Sequence, residues 1–329
     1  MKKTHASNQL LWGGRILPEE INNPTLANFF LEHFKMIVIP VKTEEIFQNK
    51  ENFNFKGTEA LIAFAKKNNL ITRGHTLVWL HKRLIPKWII SMPLNDLKSF
   101  LNFSIPLTIS RLKKNINVWD VFNEPSANDA NGLNLSVKSM LELVKMSFKI
   151  ARSCQPKAEL ILNFSDIFNA NSFIDPLEFI KLAIKESVDL DSLGLQLHFG
   201  PHRELRLHDW KTIKKRLKQF SVFKKPVHIT ELSVPSSSFI DPHCCFPKNN
   251  PINFGFPPKW SEQNQFFFTR ELIQFLKTLK IVKSITWWDL TDAIKTNSGI
   301  STFVNFGGLF NRQKQTKLIA DQLKSLTQL

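Results

Sequence analysis

The chain has 329 residues, with 44 Lys and Arg against 28 Asp and Glu, a formal charge of +16 and 43% apolar residues. That balance can fill a large core, which argues against a disordered chain. No stretch holds the roughly 18 uninterrupted apolar residues a transmembrane helix needs.

Residues 1–9 read as an N-terminal extension. They carry two lysines and lack an apolar h-region, so they do not form a secretory signal as they stand. From residue 10 onward, short apolar runs alternate with segments of helical period. Strands are expected at 10–16, 36–41, 72–79, 118–124, 159–165, 193–200, 227–232 and 284–292. Helices are expected at 24–34, 57–69, 94–113, 137–153, 177–186, 209–220, 262–280 and 313–326. The segment 57–69 shows the pattern, with Leu61, Ile62, Phe64 and Ala65 on one face. Several strands are apolar throughout, as strands covered on both faces are. Eight strands alternating with eight helices point to α/β architecture: a closed (β/α)8 TIM barrel forming one domain over residues 10–329. No GxGxxG or P-loop favours an open doubly wound sheet. The longest irregular stretch, about 235–260, follows the seventh strand, and a loop that long is usually functional.

The charge suggests nucleic acid or an acidic polymer as a partner. The densest basic group, Lys214, Lys215, Arg216 and Lys218, shares its segment with Trp210, Ile213, Leu217 and Phe220. That amphipathic pattern reads as a solvated helix face. Cys154, Cys244 and Cys245 are odd in number and make no disulfide framework. Neighbouring Cys244 and Cys245, with His243, lack the ligand spacing of a zinc site, so no metal and no cofactor are expected.

In a barrel, reactive side chains stand where strands end at the C-terminal mouth. The third strand brings His75 and Trp79 there, the fourth Asn123 and Glu124, and the sixth Gln196 and His198. The seventh brings Glu231, and the eighth Trp287, Trp288, Asp289 and Asp292. His33, His202 and His208 read as structural. A lone glutamate at a strand end is usually just exposed. Two at matched ends, each in an apolar context, suit glycoside hydrolysis, where one acid protonates the leaving oxygen and the other attacks carbon or activates water. Tryptophan faces stack on sugar rings, and amides and imidazoles bond hydroxyls.

The motifs RGHTLVW, WDVFNEP, LGLQLHF and VHITEL, in this order and spacing, resemble glycoside hydrolase family 10, mostly retaining endo-β-1,4-xylanases. ENFNFKG and ITWWDLTD also fit, and the resemblance covers roughly residues 10–325. It implies Glu124 as acid/base and Glu231 as nucleophile, with carboxyl groups about 5–5.5 Å apart. It implies Asn123 on the sugar 2-hydroxyl, His75 and Gln196 lining the site, His198 on the nucleophile and Trp288 as an apolar wall; Trp79 joins the cleft, with Trp260 and Trp287 as further candidates. The implied partner is a polysaccharide or oligosaccharide acted on by a monomer, without nucleic acid or membrane. An extracellular location follows from the resemblance if a signal has been removed.

The departures fall in the sugar-binding shell. The family's Glu-Asn and Lys after the second strand are matched here by Val41, Lys42 and Glu45. Leu80 stands where a His directly follows the Trp, and Ser233 stands where an Asp would partner His198. The tyrosines the family places after strand five and near its C-terminus are missing, in a chain with 29 Phe, 8 Trp and no Tyr. Three readings follow: an active retaining glycosidase, a degenerate member that binds glycan with little or no turnover, and a basic nucleic-acid binder.

Overall fold

The computed structural model describes residues 10–47, 49, 52–168, 171–199, 209–239, 259–292, 295–296, 299–300 and 306–328. The extension at 1–9, His202, His208, His243, Cys244 and Cys245 lie outside the described residues.

The eight expected strands are all present: β1 (Leu11–Gly14), β2 (Met36–Pro40), β3 (Ile71–Trp79), β4 (Val118–Asn123), β5 (Glu159–Phe164), β6 (Ser192–His198), β7 (Val227–Ser233) and β8 (Val282–Trp287). They form one closed, parallel barrel in sequence order, with β8 returning to β1 through Leu11 opposite Ser284 and Gly14 opposite Trp287. β6 is buried along its whole length, and β3 is buried at every residue but Ile71. Closure leaves no unpaired strand edge, and the outer ring of helices covers the second face.

The ring comprises α1 (Pro24–His33), α2 (Thr43–Ile46), α3 (Lys56–Lys67), α4 (Lys87–Ile90), α5 (Leu94–Leu112), α6 (Val137–Cys154), α7 (Pro176–Lys185), α8 (Trp210–Gln219), α9 (Glu262–Thr278), α10 (Leu318–Asp321) and α11 (Leu323–Gln328). Side-chain caps begin many of them. Asn23 accepts from the Leu26 amide at 3.1 Å, Asp175 from Leu177 at 2.7 Å and Asp209 from Thr212 at 2.9 Å. Each satisfies an amide that a helix start leaves orphaned. Pro24 and Pro176 take first-turn positions, where the missing N–H costs nothing.

Two boundaries toward the C-terminus differ from the expectation because a side chain or backbone group finds another partner. The eighth strand ends at Trp287 rather than 292, because Leu290 and Asp292 turn aside to bond Phe310 through their backbone. The C-terminal helix expected over 313–326 is two short helices. Lys317 is drawn inward, its ammonium 2.5 Å from Asp292 Oδ1, which holds 313–317 out of the helix. The short helices α2 and α4, four residues each, lie in the loops after β2 and β3 and are too brief to show a period. Trp260 and Trp287 are core residues rather than cleft residues: Trp287 is fully buried and donates to Gly307 O at 3.2 Å, and Trp260 packs on Phe268.

Candidate active site

The barrel brings the sequence-selected residues to one end. Trp79 pairs in register with Asn123, Asn123 with Asn163, Gln196 with Glu231, and His198 with Ser233. Parallel strands at one level put these side chains on one floor of the mouth. All are buried, with Glu124 8% and Glu231 5% exposed.

Glu124 begins the loop after β4 with φ of 60°. Such left-handed backbone costs a non-glycine residue about 1–3 kcal/mol. Its amide donates to Asn163 O at 2.7 Å, which holds the turn. Its carboxylate Oε1 accepts from Gln196 Nε2 at 2.9 Å and Asn123 Nδ2 at 3.2 Å. Asn123 is oriented in turn by Asn163, whose Nδ2 donates to Asn123 Oδ1 at 2.6 Å, and Thr230 donates to Asn163 Oδ1 at 2.6 Å. Gly194 makes room for this network, since a Cβ there would lie 2.3 Å from Asn163 Oδ1. Gln196 therefore links the two glutamates, as ladder partner of Glu231 and hydrogen-bond partner of Glu124.

Glu231 stands between two imidazoles. His198 Nε2 is 3.0 Å from Oε2, and His75 Nε2 is 3.7 Å from Oε1. Burial raises the pKa of this carboxyl, but the His198 hydrogen bond and the attraction of His75, His198 and Arg73 in the acid range where it titrates outweigh burial and hold it at about 2. Glu231 is thus ionised at neutral pH. Its Oε1 has no hydrogen-bond partner among the described residues.

Beneath the imidazoles lie residues that the sequence reading missed. His75 Nδ1 is 2.8 Å from Asp120 Oδ2, and the fully buried Arg73 approaches the same oxygen at 3.5 Å while donating to Thr230 O at 2.8 Å. A period-two reading would have found them. Arg73 and His75 share one face of β3, and a charged group on an interior face needs a partner.

The walls are aromatic and cationic. The Trp288 ring meets His75 edge-on at 5.4 Å, packs with Val38, and carries the Arg15 guanidinium 4.7 Å from its centre. Arg15 also pairs with Asp289. Trp79 lies 5.5 Å from the Lys42 ammonium. The position expected to weaken His198, Ser233, places its hydroxyl 2.8 Å from His198 Nδ1. His33 sits apart from the mouth, against Phe29 on α1. Among the described residues no group of His, Cys, Asp and Glu is arranged to hold a metal ion, and no helix is long and apolar enough to cross a membrane.

Comparison with known proteins matches the glycosyl hydrolase family 10 model over residues 2–325. Endo-1,4-beta-xylanase A of Thermotoga maritima is 26% identical over 298 residues, which are 85% of this chain and 26% of that protein. Endo-1,4-beta-xylanase A of Thermotoga neapolitana is 25% identical over 74% of the chain and 22% of its own length. The chain thus spans about a quarter of the length of these two relatives. Endo-1,4-beta-xylanase 3 of Hypocrea jecorina is 31% identical over 49% of the chain. Among solved structures, xylanase B from Clostridium stercorarium F9 superposes with a TM-score of 0.71 at 22% identity, covering 96% of both chains. Native xylanase 10B from Thermotoga maritima gives 0.72 at 20% identity, covering 98% of this chain and 95% of that one. At these identities the superpositions speak for the barrel fold.

Proposed function

This chain belongs to glycosyl hydrolase family 10, and we propose that it is a retaining endo-β-1,4-glycosidase cleaving xylan or a related β-linked polysaccharide through Glu124 and Glu231. The observation that carries the reading is the contrast between the two carboxyl groups. Glu231 is ionised and pinned by His198 on Oε2, while its buried Oε1 accepts no hydrogen bond from the described residues. Glu124 accepts two amide N–H bonds on Oε1, which leaves Oε2 to carry a proton.

In this mechanism Glu231 Oε1 attacks the anomeric carbon as the glycosidic bond breaks, and Glu124 gives its proton to the leaving oxygen. Glu124 then takes a proton from the water that attacks the glycosyl ester, and Glu231 leaves as carboxylate. A carboxyl held near the acid end of its range is a good leaving group for that second step. Asn163 and Gln196 both donate to Asn123 Oδ1, so Asn123 Nδ2 faces Glu124, with one N–H on its Oε1 and the other left for a sugar hydroxyl. Trp288 and Trp79 supply apolar faces for the rings, with His75 and Gln196 beside them. The substrate is a polysaccharide or oligosaccharide.

Release of reducing sugar from xylan and from a panel of β-linked glycans tests the proposal, with Glu231→Gln as control. Release from xylan that disappears in the variant is the expected result; equal release from both proteins contradicts the assignment. A second reading, a member that holds glycan with little turnover, is favoured by Val41 and Lys42 just after β2. Calorimetric binding of a xylo-oligosaccharide by the unmutated protein, without bond cleavage on long incubation, would establish that reading instead.

A further inference from the structure

Glu231 is flanked by two imidazoles whose outer nitrogens have opposite partners. His75 Nδ1 faces a carboxylate, Asp120, at 2.8 Å. His198 Nδ1 faces a hydroxyl, Ser233 Oγ, at 2.8 Å. We propose that Ser233 is a positioning residue that donates its hydroxyl proton to His198 Nδ1 and so fixes the neutral His198 ring with its proton on Nε2, aimed at Glu231 Oε2.

The argument is one of donors and acceptors. An ionised carboxylate only accepts, so a nitrogen bonded to it must carry hydrogen. Asp120 therefore fixes the proton of a neutral His75 on Nδ1 and leaves the Nε2 lone pair toward Glu231. Glu231 asks His198 for a proton on Nε2, so Nδ1 of the neutral ring must accept, and Ser233 is the group in place to donate. The distances to Glu231 agree. The nitrogen assigned a proton lies at 3.0 Å and the one assigned a lone pair at 3.7 Å. Both rings are buried, so their partners rather than water decide the tautomer.

A carboxylate at position 233 could not play this part. It would demand hydrogen on Nδ1, and the ring could then keep its bond to Glu231 only as a cation. A hydroxyl serves both states. It donates to the neutral ring, and it turns to accept when acid adds a second proton to Nδ1. Among the described residues, the charged and titratable groups around this ring are Glu231 on β7, in direct contact, His75 and Arg73, which act on Glu231, and Asp120, which bonds His75. The consequence for catalysis rests on the function proposed above. A neutral donor on Oε2 steadies the nucleophile without placing a full positive charge against it, so Oε1 keeps its electron density for attack.

Nitrogen chemical shifts of the histidine rings, read at pH 8 in the 15N-histidine-labelled full chain and assigned with His198→Gln and His75→Gln, test the proton positions directly. His198 is expected as the Nε2–H tautomer and His75 as the Nδ1–H tautomer. In Ser233→Ala the His198 Nδ1 resonance should move to that of an acceptor without a donor; Ser233→Thr should restore it, and Ser233→Asp should protonate both ring nitrogens. On an aryl β-xylobioside, Ser233→Ala should lower kcat about three- to tenfold with little change in KM, the worth of one neutral hydrogen bond. A doubly protonated or Nδ1–H His198 in the native protein, or an unmoved Nδ1 resonance in Ser233→Ala, overturns the proposal. A protein that shows these proton positions and cleaves no glycan refutes the glycosidase reading alone.

Discussion

Gln196 donates from Nε2 to Glu124 Oε1 at 2.9 Å across the intervening strand β5. In the proposed cycle Glu124 becomes a carboxylate once it has given up its proton, and a hydrogen bond to a charged group contributes about 1.5–3 kcal/mol. Gln196→Leu keeps the side-chain volume and removes the donor. Its kcat/KM on xylo-oligosaccharide should fall roughly 10- to 100-fold, with the thermal unfolding midpoint nearly unchanged. A variant that keeps full activity would show that Glu124 does not depend on this amide.

Glu231 also ties stability to acid. Its carboxyl is held at about 2 in the folded chain, against an ordinary value of 4.5. Because the folded value is depressed, the contribution is present above about 4.5 and is lost as pH falls toward 2. The difference corresponds to a few kcal/mol at most, roughly 3. Denaturant unfolding at pH 5 and pH 3 should therefore show the wild type losing more stability than Glu231→Gln over that interval.

Glu20 behaves in the opposite sense. Burial raises its pKa from 4.5 to about 7, against the lowering effect of the Thr291 hydroxyl at 2.6 Å and the Leu17 amide at 2.8 Å. A raised carboxyl favours the folded state at low pH, and that contribution is lost as pH rises from about 4.5 through 7. The swing is again of order 3 kcal/mol. Glu20→Gln, which stays neutral, should flatten the stability profile between pH 5 and 8. A profile with the wild-type slope would show that Glu20 is not the group responsible.

Lys317 and Asp292 form a buried pair, 3% and 4% exposed, beside the Ser236 hydroxyl and the Phe306 carbonyl. Removing the ammonium takes a charge partner from Asp292, which keeps the Gly308 amide at 3.0 Å; breaking a buried pair costs about 3–5 kcal/mol. Lys317→Met should lose about that much in urea unfolding. Lys317→Met combined with Asp292→Asn should recover part of it.

The barrel was legible because parallel strands covered on both faces read as apolar runs, and eight of them alternate with helical periods. The ends of strands three, four, six and seven were legible because polar residues there break those runs. The supporting layer was harder to see. Arg73, Asp120 and Asn163 lie inside strands that read as core, and their purpose depends on partners 40 to more than 150 residues away. Ser233 looked like a lost partner for His198, yet its hydroxyl occupies that place. The same kind of long-range contact moved boundaries: Lys317 bonds Asp292 in the loop beyond β8, and no local pattern announces that the helix after it must start late.

The double-displacement account is tested most directly by the stereochemistry of the first product. Hydrolysis of an aryl β-xylobioside followed by proton NMR within the first turnovers should show the β-anomer of xylobiose appearing before mutarotation produces the α-anomer. Initial release of the α-anomer would contradict a covalent intermediate on Glu231.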